Sequence, residues 1–294
     1  MLRKVFVAAS LAMLMSVAGY AQMPEGYLDV TTVRVKPDKS AEFDAIGKKI
    51  AEAERKNHGD NWTAMATAYG ANNEVTFVSA RSSYADAEKA SDAMMGALNK
   101  AYGPGGADKM FQEFNNTVVS VRSEFRRRRW DLSVNAPADP AAYAKFVGET
   151  RWLRTVRVHV RPGHSADYEK QLLVIKAGAE KADPSIVVFV SEGAAGQEGT
   201  VYYLTWLKPS LGGFDHGHML KDLIGDDAHQ DYLKVVGECV QGSETAIYRF
   251  APDISNPPAD VVAASPEFWT PKPKAAPKPK PKADAAKPAA APQP

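Results

Sequence analysis

Thr32-Val33-Arg34-Val35-Lys36-Pro37-Asp38-Lys39-Ser40-Ala41-Glu42-Phe43 is answered later in the chain by Arg157-Val158-His159-Val160-Arg161-Pro162-Gly163-His164-Ser165-Ala166-Asp167-Tyr168. Five of the twelve positions are identical, and three more keep their chemistry as Lys/Arg, Glu/Asp and Phe/Tyr. A second match, Asp131-Leu132-Ser133 against Asp253-Ile254-Ser255, follows in the same order at an offset of 122, where the first has 125. Two ordered matches at nearly one spacing mark a duplicated unit rather than a coincidence.

Each copy repeats one order of elements. Leu28 to Lys36 and Trp152 to Arg161 are rich in β-branched residues and read as strands, each ended by a proline where a helix can begin. Phe43, Ile46, Ile50 and Ala53 then recur at helical spacing, as do Tyr168, Leu172, Ile175 and Ala179. Hairpins follow at 63–69 with 75–81, and at 186–191 with 201–207. Helical patterns return at 84–100, 107–114 and 226–240, and last strands close the copies at 118–128 and 245–250. The order is β-α-β-β-α-β twice, the ferredoxin-like split unit. One such unit bears helices on a single face of its sheet, so the bare face needs a partner. Two copies in one chain can supply it by packing sheet against sheet.

The strand ending Val-x-Val-x-Pro, with an early helical aromatic at Phe43 and Tyr168, resembles the dimeric α+β barrel superfamily over residues 27–133 and 150–255. Its members include antibiotic-biosynthesis-monooxygenase-like and NIPSNAP-like domains. The resemblance implies an α+β fold in which two tandem ferredoxin-like halves form an intrachain dimeric α+β barrel. It implies no single reaction, because the superfamily spans cofactor-free oxygenases, haem enzymes and proteins with no known activity.

The ends differ from this body. Arg3 and Lys4, the apolar run from Val5 to Val17 and the small residues before Ala21 form a signal-peptide pattern over 1–21, so export to a periplasmic or secreted location is expected, with no transmembrane anchor after cleavage. The halves are set at 22–136 and 137–256, leaving 257–294 as a Pro/Lys/Ala-rich tail. Beyond Trp269 this tail has no large apolar residue to offset the entropy of ordering, and it is expected to stay disordered. Its lysines suit an anionic cell-envelope surface. Of the formal charge of +1, the first 21 residues supply +2 and the last 24 supply +5, so the 249 between them carry −6. An acidic body argues against nucleic acid as a partner, and Arg126 to Arg129 alternate faces along a strand instead of forming one basic patch. A single cysteine excludes a disulfide framework and any CxxC site.

Alternation assigns Thr31, Val33, Val35, Val156, Val158 and Val160 to the helix side of their strands. Leu28, Val30, Thr32 and Arg34, with Leu153, Thr155, Arg157 and His159, fall on the other side. Arg34, Arg157 and His159 are therefore the candidate ligand-binding residues, suited to an anionic or aromatic small molecule. Asp215, His216, His218 and His229 form the densest set of metal-type donors, although 213–217 reads as a glycine-marked loop. Cys239 shares a helical stripe with Tyr232, Val235 and Val236, the pattern of a buried thiol. No assembled nucleophile, phosphate-loop or HExxH motif occurs, so no cofactor is assigned and the sequence leaves open whether the chain is an enzyme. The function expected is binding of a small molecule or a protein partner through the barrel. The alternative is a monooxygenase-like enzyme, cofactor-free or dependent on haem or metal.

Overall fold

In the computed structural model, residues 23–215 and 217–270 are described; the leader at 1–21, His216 and the chain beyond Thr270 lie outside them, with the expectations placed there. The first half runs β1 (Tyr27–Val35), α1 (Ser40–Asn57), β2 (Thr63–Tyr69), β3 (Glu74–Arg81), α2 (Tyr84–Tyr102), α3 (Gly106–Thr117) and β4 (Val118–Arg128). A linking helix, α4 (Pro140–Glu149), leads to β5 (Trp152–Val160), α5 (Ser165–Ala182), β6 (Phe189–Ala195), β7 (Thr200–Lys208), α6 (Leu220–Ile224), α7 (Asp226–Cys239) and β8 (Val240–Phe250). Two short helices follow, α8 (Ala259–Ala264) and α9 (Pro266–Trp269).

Local chemistry explains the boundaries. Pro37 fixes a first helical turn after β1, and the expected stripe of Phe43, Ile46, Ile50 and Ala53 is buried beneath α1. Ser83 caps α2 by accepting from the Asp86 amide, and Asp139 caps α4 from the position before Pro140. Where Gly103 and Gly105 take positive φ the helical run breaks, so α2 and α3 form a pair.

Eight strands close into one ring in the order β1-β3-β2-β8-β5-β7-β6-β4. Each half supplies a ferredoxin-like sheet, β4-β1-β3-β2 or β8-β5-β7-β6. The halves meet edge to edge, β2 on β8 and β4 on β6, and not sheet face on sheet face as the bare-face argument suggested. Edge pairing satisfies the backbone donors that two stacked sheets would leave open. Every neighbouring pair is antiparallel, so β1 and β5 run the same way and the copies are related about the barrel axis. Val33, Val35, Phe43, Ile46, Ile50 and Leu98 form the outer core of the first half. Val158, Val160, Tyr168, Leu172 and Tyr202 do so in the second.

Three boundaries differ from the sequence reading. Strand β8 begins at Val240, directly after α7, because Val240 to Glu244 pair with β5 despite lacking an apolar alternation. Strand β6 begins at Phe189; Val188 before it forms a separate bridge to Val134. Residues 257–269, expected to belong to the tail, are part of the folded body. Together α4, α8 and α9 plug one end of the barrel around Ala144, Val147, Val261 and Trp269, which is 2% exposed. Val261, Val262, Phe268 and Trp269 supply the apolar area of that segment.

Candidate functional site

The barrel interior is divided into two chambers. At the plugged end, Leu28, Val30, Val78, Leu153, Phe189 and Phe250 line an apolar chamber of about 110 Å³. The open end holds a polar chamber of about 320 Å³, lined by Thr32, Glu74, Thr76, Arg122, Arg157, Tyr203 and Glu244 among others. Met65, Arg126 and Thr155 border both and form the partition. The larger chamber has the size of a small-molecule site.

Strand register explains why arginines point inward. Leu28 is opposite Arg126, Val30 opposite Glu124 and Thr32 opposite Arg122, so the inward face of β1 fixes the inward face of β4. Arg126 and Arg128 thus enter the barrel. Arg127 and Arg129 turn outward, where both pair with Glu192 and Arg129 also with Asp131 and Glu169. The alternation expected of the four arginines is observed.

Glu124 is the anchor of the interior. Its side chain is 1% exposed, and Oε2 accepts from Arg126 Nε at 2.9 Å, from Arg126 Nη2 at 2.7 Å and from the Tyr203 hydroxyl at 2.8 Å. Arg122 Nε lies 3.2 Å from Oε1, which has no hydrogen-bond partner among the described residues. Burial alone would raise this carboxyl. The Arg126 charge and the hydrogen bonds from Tyr203 and Arg126, with the Arg122 charge, outweigh burial and hold it below the usual carboxylate range. Arg126 also stacks 3.5 Å over the Tyr203 ring, and burial pushes the Tyr203 hydroxyl up. Carboxylate, guanidinium and neutral phenol are therefore locked in one largely dry geometry.

Arg157 is held differently. It faces Tyr203 across β7 and Glu244 across β8, but its nearest carboxylate oxygen, on an exposed Glu244, is 3.9 Å away, and its Nε is buried without a partner. A guanidinium lining a chamber without a hydrogen-bonded anion is a docking point for one. Arg34 sits at the mouth, paired to Glu74 at 3.3 Å. His159 follows Arg157 on the same face, and neither Arg34 nor His159 lines the chamber. Arg122, Glu124 and Tyr203 were not singled out from the sequence, and Arg126 was read only as one of four alternating arginines. Only the strand register, which no motif announces, could have placed them inside.

The described members of the metal-type set are not gathered. His218 Nε2 approaches Asp183 Oδ2 at 3.2 Å, His229 stacks on Tyr232, and Asp215 ends a 3-10 turn after Leu211–Phe214. These three, with His216 outside the described residues, do not converge on one point. Among the described residues, the donors that do converge are His164, Asp167 and Cys239.

No family model matches the chain, and no curated protein matches it. Solved structures are similar in arrangement. An anthrone oxidase-like protein is 14% identical, covering 77% of this chain and 91% of its own, at a TM-score of 0.48. A provisionally named monooxygenase from Lactobacillus acidophilus is 7% identical over 79% of this chain and 97% of its own, at 0.45. A mutant chlorite dismutase from Candidatus Nitrospira defluvii is 6% identical over 81% and 95%, at 0.43. The chain's own topology, two βαββαβ halves closing one eight-stranded ring, is a dimeric α+β barrel built within a single chain.

Proposed function

We propose that the protein binds a small anionic molecule in the polar chamber, with Arg157 as the principal anion-binding group. The observation that carries this reading is the guanidinium of Arg157, inside the barrel with its Nε buried and without a hydrogen-bonded partner among the described residues. Arg122, Arg126 and Tyr203 supply a wall that Glu124 fixes from behind, and Thr32, Thr76 and Thr155 offer hydroxyls for polar substituents. Titration calorimetry with benzoate, phosphate and sulfate tests it. At least one of these is expected to bind the native protein and to weaken about 10-fold or more in Arg157→Gln, the scale of a lost charge-assisted hydrogen bond. Equal binding in both proteins, or none by any of the three anions, would overturn the reading.

A second reading, an enzyme of the cofactor-free oxygenase kind, is favoured by Glu124 Oε1. That oxygen belongs to a buried carboxylate that its arginine partners hold below the usual range, and it accepts no hydrogen bond from the described residues; it is therefore a weak base, suited only to an acidic enol or phenol. Oxygen uptake with acidic phenols, abolished in Glu124→Gln, is the measurement that separates turnover from binding. The export proposal rests on the leader pattern of residues 1–21 alone; no helix among the described residues is long and apolar enough to cross a membrane.

A further inference from the structure

We infer that His164 Nδ1, Asp167 Oδ2 and Cys239 Sγ form a three-donor site for a zinc-type divalent cation, on the outside of the barrel where α5 begins and α7 ends. His164 is the residue before α5, Asp167 lies in its first turn, and Cys239 is the last residue of α7. The Arg161 amide donates to the Cys239 carbonyl at 2.8 Å and ties the two segments together. This site is independent of the barrel chambers.

The distances fit a metal. Cys239 Sγ is 3.7 Å from His164 Nδ1, Nδ1 is 3.5 Å from Asp167 Oδ2, and all three atoms lie within 4.8 Å of one another. Tetrahedral zinc, with bonds of about 2.3 Å to sulfur and about 2.0 Å to nitrogen or oxygen, separates its ligands by roughly 3.3–3.6 Å. Hydrogen bonding accounts for the arrangement less well. One nitrogen, Nδ1, faces both the thiol and the carboxylate, and it cannot at once accept from S–H and donate to Asp167. A cation between the three would take one donor atom from each. Thiolate, imidazole and carboxylate together form a donor set that zinc favours over calcium or magnesium.

The duplication supplies an internal control. The three positions correspond to Lys39, Glu42 and Thr117 in the first half, by the offsets of 125 and 122. There Lys39 Nζ pairs with Glu42 Oε2 at 2.7 Å, and the Thr117 hydroxyl donates to the Phe114 carbonyl at 2.6 Å. The same backbone geometry is thus completed without a metal in one copy, and carries three metal donors in the other. Cys239 is 1% exposed, whereas Asp167 and His164 reach solvent, so a cation would enter from their side and keep an open position for water.

The test is a titration of the full chain, stripped with chelator, first with Co²⁺ and then with Zn²⁺. One Co²⁺ per chain is expected, with a thiolate-to-cobalt charge-transfer absorption bleached by one equivalent of Zn²⁺. Because Cys239 is the only cysteine, no other residue can give that absorption. Cys239→Thr places the first-half residue at this position; it should remove the absorption and weaken zinc about 100-fold or more, with an unchanged melting temperature in chelator. Asp167→Asn, at an exposed position where folding is not at stake, should weaken zinc about 10-fold while keeping the absorption. Absence of a thiolate absorption in the native protein, or a zinc-induced rise in melting temperature that persists in Cys239→Thr, would overturn the inference.

Discussion

Ser133 and Ser255 show how much one hydroxyl can organise. Both are fully buried, and both end the second of the two repeated motifs. Ser133 donates to the Arg129 carbonyl at 2.8 Å and accepts from the Val190 amide at 2.9 Å; Ser255 donates to Ala251 and accepts from the Ala64 amide, each at 2.8 Å. Each serine therefore holds the end of one half to the other half, at opposite seams. Replacing either by Ala leaves a buried amide unsatisfied and should cost about 1–3 kcal/mol in urea denaturation. The pair shares no partner, so the double variant should lose the sum to within about 0.5 kcal/mol. The match of Asp131-Leu132-Ser133 with Asp253-Ile254-Ser255 was legible in the sequence. Its role as a seam was not, because the partners Val190 and Ala64 are ordinary strand residues. Glu54 is the second residue with a measurable signature. It is fully buried beneath α1, its Oε2 accepts from the Asp60 amide at 2.8 Å, and its Oε1 has no partner. Burial, reinforced by the Asp60 charge, raises its carboxyl to about 7. Between the ordinary carboxylate range and about 7 the folded state therefore keeps a proton that the unfolded chain has released. Its contribution makes stability fall as pH rises through that window. Glu54→Gln should gain roughly 1–2 kcal/mol over the native protein at pH 8 and nothing at pH 4. An identical pH dependence of the denaturation midpoint in both proteins would refute this assignment.

At the scale of elements, α4, α8 and α9 turn an open ring into a vessel with a closed floor. Trp269 lies between Phe250 and Phe268 and donates its indole N–H to the Gly148 carbonyl at 2.9 Å. A side chain at Gly148 would stand 2.5 Å from the Val261 carbonyl oxygen, so only glycine lets α4 and α8 approach this closely. Trp269→Ala should lower stability by about 3–5 kcal/mol, the usual loss for a buried large aromatic. Gly148→Ala should also destabilise, by forcing the two helices apart; a melting temperature unchanged in either variant would mean that the floor is not part of the cooperative core. The elements of the two repeats were legible because their apolar spacing is periodic. The floor was hidden because α8 and α9 are too short for periodicity to register, and because proline, alanine and lysine dominate the sequence that follows them. The site was half legible for a similar reason. Arg157 declared its face through the alternation of β5, whereas Glu124 and Arg126 acquire theirs only from register with β1.

At the scale of the molecule, the two βαββαβ halves differ in ways that make them complementary. Tyr203, which bonds Glu124 across the interior, is paired with Arg157 in the second half; Thr76, paired with Thr32, holds the same place in the first. Two copies of the first half would thus set two Glu124–Arg126 pairs in one interior with no phenol to meet either. Either half alone would leave two edge strands unpaired, β2 and β4 or β6 and β8, and would expose its inward apolar residues, among them Val30, Val78 and Met65 in the first half. It would also lose the serine clamp contributed by the other. We therefore expect a single cooperative unfolding transition for the whole chain. Residues 23–136 and 137–270, produced separately, should be unfolded or aggregated, and should assemble as a one-to-one complex when produced together. Sedimentation equilibrium and thermal melting of each fragment and of the mixture decide the matter. A fragment of the first half that is a stable monomer, or that forms a homodimer melting as high as the mixed complex, would show that the unlike halves hold no advantage over like ones.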